Sequence, residues 1–215
     1  MTASYNGTFK PSTCPVIATK SFNIPVNTCA EEAHTGKNAY ILKPGGIGTS
    51  FNVYKSQLPA ASEFNRKYSA LVWMHTSCPM STSLVVNYYA SSALSRTFTA
   101  SCSAPYLTSG NWKLVRVDAD APTVSEDRIE VYVQNSSTTS QALYDDIRVA
   151  PFTANMTAKV YDPLFDRLSA TLDQNHLATF YKYDSRGRLL EVKTELTGTG
   201  PVTLKKYAYN DQNKN

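Results

Sequence analysis

The sequence contains no long apolar run. No stretch approaches the roughly 18 consecutive apolar residues that a membrane-spanning helix requires, so helical membrane insertion is not expected. The opening residues, MTASYNGTFKPSTCPVIATK, hold no apolar core of about 7–15 residues and do not read as an export signal. Charged residues are sparse at 18%, and the net charge of +4 is spread out with no run of five like charges. Nucleic-acid or membrane-surface binding has no electrostatic footprint in such a chain. None of the four cysteines, Cys14, Cys29, Cys78 and Cys102, stands in a C-x-x-C pair, which disfavours a zinc or redox motif. No window shows a 3.6-residue apolar stripe, so long amphipathic helices are not expected either.

Support for catalysis is thin. There are three histidines, His34, His75 and His176, and none belongs to a recognisable catalytic spacing. His75 stands three residues before Cys78, but nothing nearby would orient the ring or lower the thiol pKa. Glu31 and Glu32 precede His34 without the second histidine of H-E-x-x-H. Asp145 and Asp146 are adjacent. On a regular strand they point to opposite faces, so they are not expected to serve one cleft as a carboxylate pair; Asp118 and Asp120 would also need a shared cleft. No G-x-S-x-G, phosphate loop or dinucleotide fingerprint occurs, and the chain is not read as an enzyme.

What is present points to β-structure. Of 215 residues, 42% are hydrophobic, enough for a core, and 14 are tyrosine. Period-2 alternation marks strands at Asn38–Lys43, Ser50–Gln57, Lys67–Thr76, Ser83–Ala90, Asn111–Asp118, Arg128–Gln134 and Ala142–Val149. Clusters of Gly, Pro, Ser or Asn separate them. Strands without helices over this length predict an all-β fold, a two-sheet β-sandwich or jelly roll, across 1–151. In RIEVYVQN, Ile129, Val131 and Val133 share a buried face, and Arg128, Glu130, Tyr132 and Gln134 share a wet one. SALVWMH is apolar on both faces, so that strand is central and covered or lines a groove. Trp73 and Trp112 are expected to fill the sandwich. In ALYDDIRV, Leu143, Asp145, Ile147 and Val149 are expected on one face. An inward Asp145 then needs a cation or several backbone N–H groups.

From 152 to 215 the pattern becomes hairpins: Ala158–Tyr161 with Arg167–Leu172, Ala178–Tyr183 with Arg188–Leu196, then Val202–Tyr209. Gly187 and Asp166 stand where a left-handed turn residue is needed. Tyr161 to Tyr183 spans 22 residues, an internal repeat. The polar, patternless ends read as cuts in a longer polypeptide. The cysteines allow three pairings, with Cys14–Cys29 and Cys78–Cys102 the local ones, and free buried thiols remain an alternative. Three N-x-S/T triplets, at Asn6, Asn135 and Asn155, are read as chance.

The hairpin region resembles the YD repeats of Rhs/YD-repeat proteins. Tyr161-Asp162, Arg167-Leu168, Thr179, Tyr181, Tyr183-Asp184 and Gly187-Arg188-Leu189 carry the match; Asp166 and Gln174-Asn175 depart from it. The resemblance implies a fragment of a longer repeat shell, with further YD repeats of a bacterial secreted or cell-surface protein as partners. Upstream, AEEAHTGKNAYIL and the closing YDDIRV resemble the two ends of galactose-binding-like jelly rolls of carbohydrate-binding modules. That resemblance implies a glycan or polysaccharide ligand and a structural Ca²⁺. Asp145 would then supply a carboxylate and the backbone near His34 and Gly36 would supply carbonyls, with Asn23 where such modules often place an acid. Sugar recognition needs aromatic faces beside planar polar groups. Tyr132, with Arg128 and Gln134, and Asn87 with Tyr89 on a neighbouring strand, are the candidates; ordinary cross-strand packing is the competing reading. The function expected is a non-catalytic glycan-binding module. The alternative is a cap of the repeat shell, seated on an apolar seam that includes Phe152, Leu164 and Phe165.

Overall fold

The computed structural model describes residues 29–30, 33–36, 39–48, 50–58, 61–162 and 164–210. The expectations for Asn6, Cys14, Asn23, Glu31 and Glu32 lie outside them, as does the side chain of Cys29. The chain is an all-β sandwich followed by a sheet of hairpins. Its strands are β1 (Cys29–Ala30), β2 (Ala39–Leu42), β3 (Phe51–Tyr54), β4 (Tyr68–His75), β5 (Thr82–Ala90), β6 (Ala93–Ser101), β7 (Leu107–Ser109), β8 (Trp112–Ala119), β9 (Arg128–Asn135), β10 (Ala142–Pro151), β11 (Ala158–Asp162), β12 (Arg167–Leu172), β13 (Ala178–Tyr183), β14 (Leu189–Leu196) and β15 (Gly200–Lys206). One short α-helix, α1 (Ala61–Phe64), places Phe64 in the core.

Two sheets form the sandwich: a six-stranded one in the order β1-β2-β10-β4-β8-β7 and a four-stranded one in the order β3-β9-β5-β6. Side chains alternate across each strand, and one set from each sheet meets in the middle. Leu42, Val72, Met74, Val115 and Tyr144 face Leu84, Val86, Tyr88, Ile129, Val131 and Val133. Each aliphatic side chain taken out of water there contributes about 1.5–3 kcal/mol. A disulfide joins Cys78, after β4, to Cys102, after β6. That pairing removes Cys78 as a thiol partner for His75.

The expected strands form, except that the one expected over Ser50–Gln57 ends at Tyr54 and passes into a 3-10 turn at Lys55–Gln57; β6 and β7 join them from segments without clear alternation. Two facing expectations are corrected. Trp73 and Trp112 are buried, but on the outer face of the six-stranded sheet, in a second apolar cluster with Ala39 and Leu114. Trp73 is paired with Asp145 across β4 and β10, and paired residues share a face. The second correction concerns β10. Its pairing with β4 shifts between Asp145 and Arg148, and Asp146 takes φ +50°. This bulge changes the parity of the strand. Ala142 and Tyr144 face the core before it, and Ile147 and Val149 face the core after it. Asp145 therefore does not share a face with Ile147 and Val149.

The hairpins form a five-stranded meander, β11 to β15 in sequence order. Both repeats carry a bulge at the tyrosine, between Val160 and Tyr161 and between Lys182 and Tyr183. Asp162 and Asp184 close matching turns by accepting from the N–H of Leu164 and Arg186, at 2.8 and 2.9 Å. Asp166 (φ +52°) and Gly187 (φ +84°) both take the left-handed conformation. Phe152, Leu164 and Phe165 are exposed, so they do not form the seam with the sandwich.

Candidate functional site

Alternation in β9 turns Arg128, Glu130, Tyr132 and Gln134 away from the core. On β5, Asn87 pairs with Glu130 and Tyr89 with Arg128. This register gathers four of the five candidate ligand residues. The Asn87 amide donates to the Tyr132 hydroxyl at 3.2 Å, and Thr97 donates to Asn87 at 2.9 Å. Tyr89 donates to Glu130 at 2.7 Å, and the Arg128 guanidinium lies 3.8 Å above the Tyr89 ring. Burial and then the Glu130 hydrogen bond raise the Tyr89 pKa. Gln134 sits two positions beyond Tyr132 on the same face, opposite Ser83. The face is a hydrogen-bonded polar mat, with Tyr132 half-buried and one side of Tyr89 covered by arginine.

A denser constellation lies between the sandwich and the hairpin sheet. His34 is buried in the segment between β1 and β2. Its ring stacks on Trp73, with centroids 4.2 Å apart and planes 21° apart, and meets the edge of Trp112. Nδ1 lies 2.7 Å from Asp146 Oδ2, and Nε2 lies 2.9 Å from Glu195 Oε1 on β14. Burial opposes the charged ring. The hydrogen bonds and charges of Asp146 and Glu195 outweigh it and hold the pKa near 9, so His34 is an imidazolium donating from both nitrogens at neutral pH. Glu195 also accepts the N–H of Ala178 at 2.9 Å.

The bulge in β10 builds this site. Asp145 Oδ2 accepts the N–H groups of His34 and Thr35 at 3.0 and 3.2 Å, and its Oδ1 accepts the N–H of Asp146 at 2.8 Å. Burial and the adjacent Asp146 charge push its pKa up to about 8, against the pull of those N–H groups. The Thr35 hydroxyl donates to Asp146 at 2.9 Å. Two successive aspartates thus serve one segment, which a regular strand forbids. This corrects the expectation from strand alternation.

Asp145 also decides the fit of calcium, which takes six to eight oxygen ligands. Both oxygens of Asp145 face N–H donors. The backbone offers it the His34 N–H rather than a carbonyl, and the neighbouring ring is a cation. A Cβ added at Gly36, which holds φ +73°, would meet the Val160 side chain at 3.4 Å. These residues do not fit the cage the resemblance implies; they satisfy Asp145 without a metal.

A second histidine completes the junction. His176 is 1% exposed and sits at φ +66° between β12 and β13. Its Nε2 lies 2.6 Å from the Asp146 carbonyl, which can only accept, so Nε2 carries the proton. The Trp73 indole donates to the His176 carbonyl at 2.9 Å. Burial, then the charge of Arg148, lowers the His176 pKa to about 4, and the ring is neutral. Arg148 donates from Nη1 to the carbonyls of Met156 and Asp173 at 3.0 and 3.1 Å. Arg148 Nη2 and His176 Nδ1 are buried without a protein partner.

Beside the junction opens a cleft of about 540 Å³. Its walls are the Ser109–Trp112 turn of the sandwich and the β13–β14 face carrying Phe180, Lys182, Glu191 and Lys193; His34 and Glu195 also line it. The sequence marked none of the hairpin residues here. In LLEVKTEL, Glu191, Lys193 and Glu195 occupy equivalent alternating positions, and nothing local distinguishes the buried Glu195 from its half-buried neighbours. Compared with known proteins, the chain matches no family model and no curated sequence.

Proposed function

We propose that this chain is a non-catalytic β-sandwich acting as a rigid cap on a YD-type hairpin sheet, within a secreted or cell-surface Rhs/YD-repeat protein. Further hairpins of the parent protein are its partners. The contact between Glu195 and His34 carries this reading, because it ties a hairpin strand to the sandwich through a buried ion pair. Such pairs demand fixed geometry, since a displaced partner leaves an uncompensated buried charge. Trp73 and His176 add a second tie, and the Gly198 N–H bonded to the Thr108 carbonyl a third. A cap must hold the first hairpins in one orientation, and these three contacts support that reading. Thermal unfolding followed by tryptophan fluorescence and by far-UV circular dichroism tests it. Both tryptophans lie on the outer face of the six-stranded sheet, towards the hairpins, so coincident transitions are expected. Two separated transitions would refute the rigid cap.

A second reading, glycan binding on the outer face of the four-stranded sheet, is favoured by one observation. Tyr132 is half-buried, with its hydroxyl anchored by Asn87 between Arg128 and Gln134. An oriented aromatic beside planar polar groups is what a sugar ring requires. Titration with a panel of polysaccharides, repeated on Tyr132→Ala, tests this reading. Binding weakened about tenfold by the substitution supports it, and binding indifferent to Tyr132 removes it.

A further inference from the structure

We propose that the junction encloses a binding site for one water molecule, held between the Arg148 guanidinium of β10 and the His176 imidazole of the β12–β13 turn. This deepens the cap reading and rests on the two parts staying joined, which the unfolding transitions test separately.

Two atoms define the site. Arg148 Nη2 and His176 Nδ1 are buried without a hydrogen-bond partner, on residues 5% and 1% exposed. The rest of each side chain is fixed to backbone. His176 Nε2 lies 2.6 Å from the Asp146 carbonyl, which pins the ring beside the strand two residues ahead of Arg148. Arg148 Nη1 donates to the Asp173 carbonyl at 3.1 Å, and the same carbonyl accepts the His176 N–H at 3.1 Å. A shared acceptor therefore seats the guanidinium against the turn that carries the imidazole. Its charge reaches the ring and, after burial, is the next cause of the lowered His176 pKa. Side by side, the two atoms still do not bond each other.

Whatever bridges them must complement both. Nη2 can only donate, and Nδ1, with the ring proton on Nε2, can only accept. An anion suits Nη2 but faces the lone pair of Nδ1. A cation suits Nδ1 but is repelled by the guanidinium, and an apolar group satisfies neither. Water accepts from Nη2 and donates to Nδ1 through one oxygen. Buried waters make about three hydrogen bonds. The Met156 carbonyl, 3.0 Å from Nη1, offers its second lone pair to the remaining proton. The water thus ties a sandwich strand to a hairpin turn. Enclosed by such buried groups, it exchanges with bulk solvent only when the junction opens locally.

A high-resolution crystal structure of the full chain tests the proposal, with a second crystal soaked in sodium bromide. A density peak about 2.7–3.2 Å from both Nη2 and Nδ1 is expected, without anomalous bromide signal. No peak, a direct bond between Arg148 and His176, or bromide at the position would each overturn it. In solution, oxygen-17 relaxation dispersion counts the waters held longer than the protein takes to tumble. Arg148→Met removes Nη2, and the count is expected to fall by one; an unchanged count overturns the proposal. Should Arg148→Met not fold, the nitrogen-15 shifts of His176 in the native chain decide alongside the crystal. A bare, hydrogen-bonded Nδ1 is expected at neutral pH, and a protonated Nδ1 contradicts a donating water.

Discussion

Glu195 Oε1 lies 2.9 Å from Nε2 of His34, a residue 161 positions earlier in the chain. One strand of the hairpin sheet thereby supplies a counter-ion to the first described loop of the sandwich. The pair is almost fully buried, with side-chain exposures of 1% and 2%. Removing Glu195 leaves His34 Nε2 without its acceptor and the buried ring with Asp146 as its remaining counter-ion. Glu195→Gln or Glu195→Ala is therefore expected to destabilise the protein by about 3–5 kcal/mol, read from urea or guanidinium unfolding. A loss below about 1 kcal/mol would mean the junction is not under this constraint.

Stability should depend on pH in a defined way. His34 has a folded-state pKa near 9, above its ordinary 6.5, so its contribution is complete below 6.5 and is lost as pH rises towards 9. Asp145, raised from 3.8 to about 8, acts in the same sense over its own span. His176, lowered from 6.5 to about 4, does the reverse: its contribution is complete above 6.5 and is lost as pH falls to 4. Glu126, lowered from 4.5 to about 2 chiefly by its hydrogen bonds with Arg96, is lost below 4.5. Between about 4.5 and 6.5 the Asp145 and His176 slopes oppose each other. A stability plateau is expected there, falling on both sides. Unfolding midpoints that keep rising from pH 6.5 to 9 would contradict it.

The Cys78–Cys102 disulfide spans a separation of 24 residues. Closing a loop of that size stabilises by about 3 kcal/mol through the unfolded chain. Cys78→Ser with Cys102→Ser should lower stability by that amount and keep the far-UV spectrum, because the strands around both sites remain buried. Free-thiol titration of the unfolded native protein checks the pairing directly, and reactive thiols at both positions would refute it.

Gly187 holds φ +84°, and a Cβ added there would meet the Arg167 guanidinium at 2.6 Å. Gly187→Ala is expected to cost about 1–2 kcal/mol from the left-handed backbone alone. Asp166 occupies the matching turn at φ +52°, so Asp166→Gly should be neutral or slightly stabilising. Equal effects from the two substitutions would show that the turns are not equivalent.

Calcium should not stabilise the protein. Asp145 already accepts three N–H groups. Melting temperatures with millimolar calcium and with chelator are expected to agree within about 1 °C; a rise of several degrees would mean a cation is held.

Much of the fold was legible from alternation. Ile129, Val131 and Val133 buried beneath Tyr132 follow from period 2 alone. The hairpin turns at Asp166 and Gly187 follow from which residues tolerate positive φ. β6, ALSRTFTAS, was not legible: it is mostly exposed or half-exposed and so carries little apolar pattern. The bulge at Asp146 was hidden as well, because one extra residue on a strand leaves no compositional mark. It nevertheless decides which way Asp145, Ile147 and Val149 point.

By itself, the sequence determined a two-sheet sandwich, its polar outer face and the repeated hairpins, because each depends on neighbours a few positions apart. Tertiary structure decided the junction. Whether Glu195 is buried, His34 charged or Trp73 outside the sandwich core depends on which surfaces meet across 161 positions. Burial and ion pairing are properties of that meeting, and no local spacing encodes them.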